Sequence, residues 1–289
     1  MTSLNSAKGR HGENFPVASF LVRRRHRPII HAFYRFARAA DDVADHPAAP
    51  ADEKLRLLED MRASLAGESE QSSEAISLRS RLNERGLTLQ HGFDLLEAFR
   101  RDVAKLRYTD WTDLMDYCRY SAMPVGRFVL DVHGESKETW PASDALCAAL
   151  QVINHLQDCG KDYRNLNRVY LPLDVLSRAK LAPEVLGSAK SPPALRGMIE
   201  ELAVRTSELL RISKGFAPQI KDTRLALEVN VIQALAEDLT KRLTHRDPLC
   251  ERVHHTKVEA VGIAIAATAK FLIVRRRPNR LPIPVMRSS

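Results

Sequence analysis

The stretch AFYRFARAADDVAD, residues 32–45, decides how the fold is read. Apolar residues around it fall at 29, 33, 36, 40 and 43, at steps of four and three, the spacing of one helix face. Beside that face Tyr34, Arg38, Asp41 and Asp45 advance by 4, 3 and 4 and form a polar line. Asp41 and Asp45 stack one turn apart, where like charges cost about 0.2–0.5 kcal/mol. Asp42 points elsewhere on the helix.

A matching line lies in ALQVINHLQDCGKDY, residues 149–163. Gln151, Asn154, Asp158 and Asp162 advance by 3, 4 and 4, with Leu150, Ile153 and Leu156 on the other arc. One DxxxD is short, common and usually a solvated face. Two of them, each extended by polar residues and followed by basic ones, point to a hard divalent cation. Mg²⁺ takes oxygen ligands, keeps several waters and joins one or two carboxylates to a substrate phosphate; Mn²⁺ fits the same ligands. Such a site favours an anionic diphosphate. Arg38, Arg164 and Arg168 supply guanidinium groups whose fork matches phosphate oxygens.

Helical periodicity runs along most of the chain. Helices are expected over 28–45, 51–66, 92–107, 111–132 with a bend at Pro124, 142–160, 193–214, 222–244 and 248–274, with a loop over 66–75. A polar loop, DYRNLNR, should follow 160. Segment 258–274 is apolar but interrupted by Glu259 and Lys270, so it reads as a packed core helix, not a membrane span. No long period-2 run or fixed internal repeat is present, and one all-α domain over 1–289 is expected, irregular at 1–12 and 276–289.

Bulk composition narrows the function. With 289 residues, 44% hydrophobic and 28% charged, the chain has the profile of a folded protein with a sizeable core. Only 12 residues are glycine, and neither GxGxxG nor GxxxxGK[ST] occurs, which counts against a nucleotide-binding fold. The net charge of +8 favours anionic partners. No basic stretch is interleaved with aromatics, so nucleic acid is not expected. Cys118, Cys147, Cys159 and Cys250 show no CxxC pairing and read as reduced thiols, and the N-terminus lacks the apolar core of a signal peptide. A cytoplasmic protein is expected. Basic segments 23–25 and 275–280 are suited to peripheral contact with anionic lipid on the inner face of the cytoplasmic membrane. A non-catalytic helical adaptor docked on membrane is the rival reading, though it has no need of four aspartates so spaced.

Four stretches in order, RAADDVAD (38–45), YCRYSAMPVG (117–126), LQVINHLQDCGKDY (150–163) and NRVYLPLD (167–174), resemble the signatures of the squalene/phytoene synthases, over roughly residues 11–245. The resemblance implies a class I isoprenoid synthase helical bundle around a central cavity. ENFPVASFL (13–21), SAMPVGRFVL (121–130) and QDCGKD are most similar to the bacterial hydroxysqualene synthase branch of squalene and hopanoid biosynthesis. That branch takes presqualene diphosphate, releases diphosphate and adds water to give hydroxysqualene. Its place in a pathway implies transient contact with neighbouring pathway enzymes. The sister branches join two prenyl diphosphates head to head into presqualene diphosphate or phytoene. They usually carry Arg where this chain has Gln157. By resemblance Asp41, Asp45, Asp158 and Asp162 hold Mg²⁺, and Gln151 and Asn154 extend the second line. Arg38 and Arg168 contact diphosphate with Tyr170 nearby, and Tyr117 sits near the reacting carbons. Tyr34, Ser121 and Arg164 join the substrate site, with His11 and Phe15 at the family's His-Phe spacing. Water capture needs no nicotinamide cofactor, and none is expected.

Overall fold

A computed structural model describes residues 23–276. His11, Phe15 and the ENFPVASFL stretch lie outside the described residues. Twelve α-helices are found among the described residues, and no strand beyond one isolated parallel bridge between Arg107 and Val169. In chain order they are α1 (Arg27–Ala44), α2 (Ala51–Ala66), α3 (Ser73–Asn83), α4 (Gln90–Ala104), α5 (Trp111–Ser121), α6 (Met123–His133), α7 (Trp140–Leu166), α8 (Leu173–Arg178), α9 (Pro193–Ser213), α10 (Phe216–Gln219), α11 (Thr223–Leu243) and α12 (Lys257–Arg276).

Local chemistry sets the boundaries. Pro28 sits in the first turn of α1, where its missing N–H costs no helical bond. Asp110 caps α5 by accepting from the Asp113 amide at 2.9 Å, and Asp222 caps α11 by accepting from the Arg224 and Leu225 amides. Helix α7 ends at Asn167, whose φ of 52° lies in the left-handed region that Asn tolerates.

Five expectations are corrected. The 66–75 loop is shorter: α3 starts at Ser73, with Ser72 Oγ accepting from the Ala75 amide, and buries Ala75, Leu78 and Leu82. Residues 111–132 form two helices broken at Ala122 (φ −120°, ψ −46°) rather than one bent helix. The Pro124 ring is accommodated in the first turn of a new helix, where no carbonyl four residues back has to be cleared. Helix α7 runs through DYRNL to Leu166, so Asp162 is helical. The last helix begins at Lys257, not 248. Before it, Asp247 accepts from the Ser191 amide (2.8 Å) and the Leu249 amide (3.0 Å) and so ties down a turn. Nor is α12 a core helix: Phe271 is buried, while Val258, Val261 and Ile265 are 83%, 57% and 66% exposed. Its inner side rests on α11, where Asn230 Nδ2 donates to the Ala267 carbonyl at 3.0 Å.

Two apolar clusters fill the interior. One gathers α1, α2, α3 and the first half of α4, closed by Phe128 and Val132 of α6, with Phe33 and Phe128 stacked at 3.8 Å. The other gathers α5, α7, α9 and α11. Helix α6 reaches α7 closely at Gly126, where an added Cβ would lie 2.4 Å from Ser143 Oγ and 2.6 Å from Cys147 Sγ. That glycine serves helix packing. Helices α1, α4, α5 and α7 all present residues to the cavity described next.

Candidate active site

A cavity of about 290 Å³ is lined by Asp41 and Asp45 from α1, Leu95, Ala98, Phe99 and Asp102 from α4, and Tyr117 and Ser121 from α5. Helix α7 adds Gln151, His155, Asp158, Lys161, Asp162 and Leu166, and the segment after it adds Arg168 and Tyr170. The two DxxxD lines, more than a hundred residues apart in the chain, thus face one space. Among the described residues, no three acidic, histidine or cysteine side chains close tightly enough to enclose a cation alone.

The segment after α7 is fixed by main-chain bonds. The Val169 amide donates to the Leu106 carbonyl and the Leu173 amide to the Tyr108 carbonyl, both at 2.9 Å. This clamps Arg168 and Tyr170 beneath the end of α4. The Arg168 guanidinium, nearly buried, meets Asp45 Oδ1 at 2.5 Å. It also donates to the Asp102 carbonyl (3.1 Å) and the Ala44 carbonyl (3.3 Å). A buried Arg–Asp contact backed by two carbonyl acceptors holds both groups in one position.

Asp102 is the hub of the inner wall. Tyr117 and Tyr170 each donate a hydroxyl hydrogen bond to it at 2.9 Å. Burial pushes its carboxyl up to about 6, against the opposing pull of Arg168 and the two hydroxyls. Burial and Asp102 together push the Tyr117 phenol well above its ordinary value, so it stays protonated. His155 stacks on Tyr170 at 3.6 Å, and burial followed by the Arg168 charge lowers it to about 3, which keeps the imidazole neutral. Burial, then the neighbouring Asp158, raise Asp162 to about 7. The pair offers hard oxygen donors of the kind Mg²⁺ takes.

The sequence-derived candidates divide by position. Asp41, Asp45, Tyr117, Ser121, Gln151, Asp158, Asp162, Arg168 and Tyr170 line the cavity. Tyr34, Arg38, Asn154 and Arg164 do not. Arg38 turns along its own helix to Asp42 (2.8 Å) and Asp41 (3.3 Å). Arg164 is exposed, with its guanidinium beside Gly160, where Leu249 and the Leu186 carbonyl also approach. Asn154 yields to His155: from Gln151, three residues fall about 60° short of a full turn and four about 40° beyond. Gln157 is buried and does not line this cavity, whose lining includes the cations Lys161 and Arg168.

Asp102, His155 and Lys161 were missed by the sequence reading. Asp102 had a signal, since it continues the inward line of Leu95 and Phe99 at steps of four and three. His155 and Lys161 had none apart from a choice of helical phase.

Comparison with known proteins gives a consistent result. The family model described as squalene/phytoene synthase matches residues 8–259. A protein named hydroxysqualene synthase from Zymomonas mobilis is 57% identical over 92% of this chain and 91% of its own length. One of the same name from Rhodopseudomonas palustris is 55% identical over 98% and 96%. The crystal structure of a squalene synthase from Alicyclobacillus acidocaldarius superposes with a TM-score of 0.69 at 33% identity, covering 80% of this chain and 88% of that one. A dehydrosqualene synthase structure, 21% identical, shares the fold at a TM-score of 0.72 over 88% of this chain and 89% of that one. Helical throughout the regular structure of its described residues, with both acidic lines on one cavity and these relatives over most of its length, the chain belongs to the squalene/phytoene synthase family of enzymes.

Proposed function

We propose that this chain converts presqualene diphosphate to hydroxysqualene, with release of diphosphate and capture of water. The observation that carries the reading is the shared cavity of Asp41, Asp45, Asp158 and Asp162, in a chain 55–57% identical to proteins named hydroxysqualene synthase. The four carboxylates would hold Mg²⁺, whose hard oxygen preference they meet. When bound, the metal supplies Lewis-acid stabilisation of the leaving diphosphate and cancels the repulsion within each pair.

The remaining work falls to the chain's own residues. Arg168, held by Asp45 and two carbonyls, and Lys161 present fixed positive charge where the diphosphate leaves. Leu95, Ala98 and Phe99 form a dry wall for the isoprenoid. About 290 Å³ takes the diphosphate and the reacting end, so these side chains must move aside for the long tails. The Tyr117 and Tyr170 rings offer π-faces to positive charge on carbon, and Asp102 fixes both hydroxyls out of its way.

The test is product analysis by mass after incubating the chain with Mg²⁺ and, separately, presqualene or farnesyl diphosphate. Hydroxysqualene from the first substrate alone is expected. Consumption of farnesyl diphosphate alone would instead favour the head-to-head transferase reading. Asp41→Ala and Asp162→Ala should each lower diphosphate release at least about a hundredfold, the scale of losing one preorganised charge-stabilising group.

The exposed Val258, Val261 and Ile265 on α12 favour a second property, peripheral attachment to anionic lipid. A lipid-borne substrate makes such attachment useful. Among the described residues no helix is long and apolar enough to cross a membrane.

A further inference from the structure

A reaction that ends in water capture needs one water held at the cation in an otherwise dry cavity. Elsewhere in the wall the hydroxyl groups are committed. Tyr117 and Tyr170 both turn their protons to Asp102, at 2.9 Å each. Ser121 Oγ differs: it lines the cavity, is buried, and has no hydrogen-bond partner among the described residues. A buried hydroxyl left so costs about 1–3 kcal/mol. The usual remedy is an ordered water, which typically makes about three hydrogen bonds to such groups.

Two further polar groups belong to the same wall. Ser121 stands one turn beyond Tyr117 on α5, and the Tyr117 ring lies 6.0 Å from that of His155 on α7. Gln151 Nε2 lies 3.1 Å from His155 Nε2, so the amide donates and the imidazole accepts. Stacking on Tyr170 at 3.6 Å fixes the ring plane. The apolar Leu95, Ala98 and Phe99 of α4 line the same cavity. A neutral imidazole adds no positive charge to repel a carbocation, and this one stays neutral because burial and Arg168 lower it to about 3.

We propose that Ser121, together with Gln151 and His155 across the seam of α5 and α7, holds the water that captures the carbocation and so makes the product an alcohol. This rests on the hydroxysqualene reading above. A lone pair of the water oxygen forms the new C–O bond at the cationic carbon. The surplus proton on that oxygen passes to the diphosphate already displaced. No oxidant or reductant is involved, and the balance is presqualene diphosphate plus water to hydroxysqualene plus protonated diphosphate. Ser121, Gln151 and His155 act through the water and are positioning residues.

The experiment measures hydroxysqualene formed per diphosphate released, with the full-length chain, Mg²⁺ and presqualene diphosphate. A general folding or binding defect lowers both quantities together and leaves the ratio unchanged. Ser121→Ala and His155→Leu are expected to lower the ratio at least tenfold, with hydrocarbons from proton loss or other alcohols as the balance. Ser121→Thr, which keeps the hydroxyl, should restore it. A ratio within twofold of the parent in both variants overturns the proposal. No diphosphate release by the parent chain would instead overturn the hydroxysqualene reading. A crystal structure of the parent protein without substrate gives a readout independent of turnover. Ordered water within hydrogen-bond distance of Ser121 Oγ is expected there, and a dry, unpartnered Oγ overturns the proposal.

Discussion

Asp102 accepts two tyrosine hydroxyls, lies by the Arg168 guanidinium, and feels the Asp45 charge, yet burial still lifts it from 3.8 to about 6. An acid raised on folding binds more protons in the native state between those two values. Its contribution to stability is fully present below about pH 4 and is lost as pH rises through about 6. The loss is on the order of 3 kcal/mol at most. His155, lowered to about 3, and His26, lowered to about 4, change stability in the opposite sense, since each favours folding above its unfolded value. The difference between parent and Asp102→Asn isolates the carboxyl. Urea midpoints measured from pH 4 to 7 should show the parent losing more stability over that window than the variant; parallel curves would contradict the assignment. At this scale the sequence was legible where charge sat at a helical period, as for Asp41, Asp45, Asp158 and Asp162. It was less so where three- and four-residue steps compete, and Asn154 and His155 differ only in which step the α7 axis selects.

Periodicity located most helices to within a few residues, because an apolar face has to be continuous to be buried. It failed at ends set by single side chains. The Ser72 cap that starts α3 lies inside a stretch of polar residues, and the run-on of α7 through DYRNL depends on Asn167 adopting a left-handed turn. Pro124 divided α5 from α6 instead of bending one helix, with the result that Tyr117 and Ser121 end α5 facing the cavity while Gly126 opens a new contact. That contact gives a prediction. Any Cβ at Gly126 enters the space of Ser143 Oγ and Cys147 Sγ, and a β-branched side chain leaves neither room to turn. Gly126→Val should destabilise the chain by about 1–3 kcal/mol through overpacking. In a domain of this size that is a melting temperature lower by roughly 2–5 °C. Calorimetry of the two proteins checks it; an unchanged midpoint would mean that α6 and α7 can part without cost.

For the molecule as a whole, the meeting of two remote acidic lines was readable because like charges beside apolar lines demand a common counter-charge. The solvent side of α12 was not readable, since a largely apolar stretch predicts burial whether or not a partner helix is present on both sides. Among the described residues its inner side is covered by α11. Val258, Val261, Ile265 and Leu272, at steps of three, four and seven, remain exposed with Ile273 along a helix about 30 Å long. Moving these five side chains into an acyl boundary is worth on the order of 5 kcal/mol. The sequence RRRPNR at 275–280 and the net charge of +8 add attraction to anionic headgroups, about 1 kcal/mol for each cation near the surface. The protein should therefore co-sediment with phosphatidylglycerol vesicles more than with phosphatidylcholine vesicles, and salt should weaken that binding. Val261→Asp with Ile265→Asp should abolish it, because two carboxylates enter the face that must be dehydrated. Equal binding by parent and variant would remove the face from consideration. A parent dimer that the same substitutions turn into a monomer, with no vesicle binding by either, would make the stripe a contact between two copies instead.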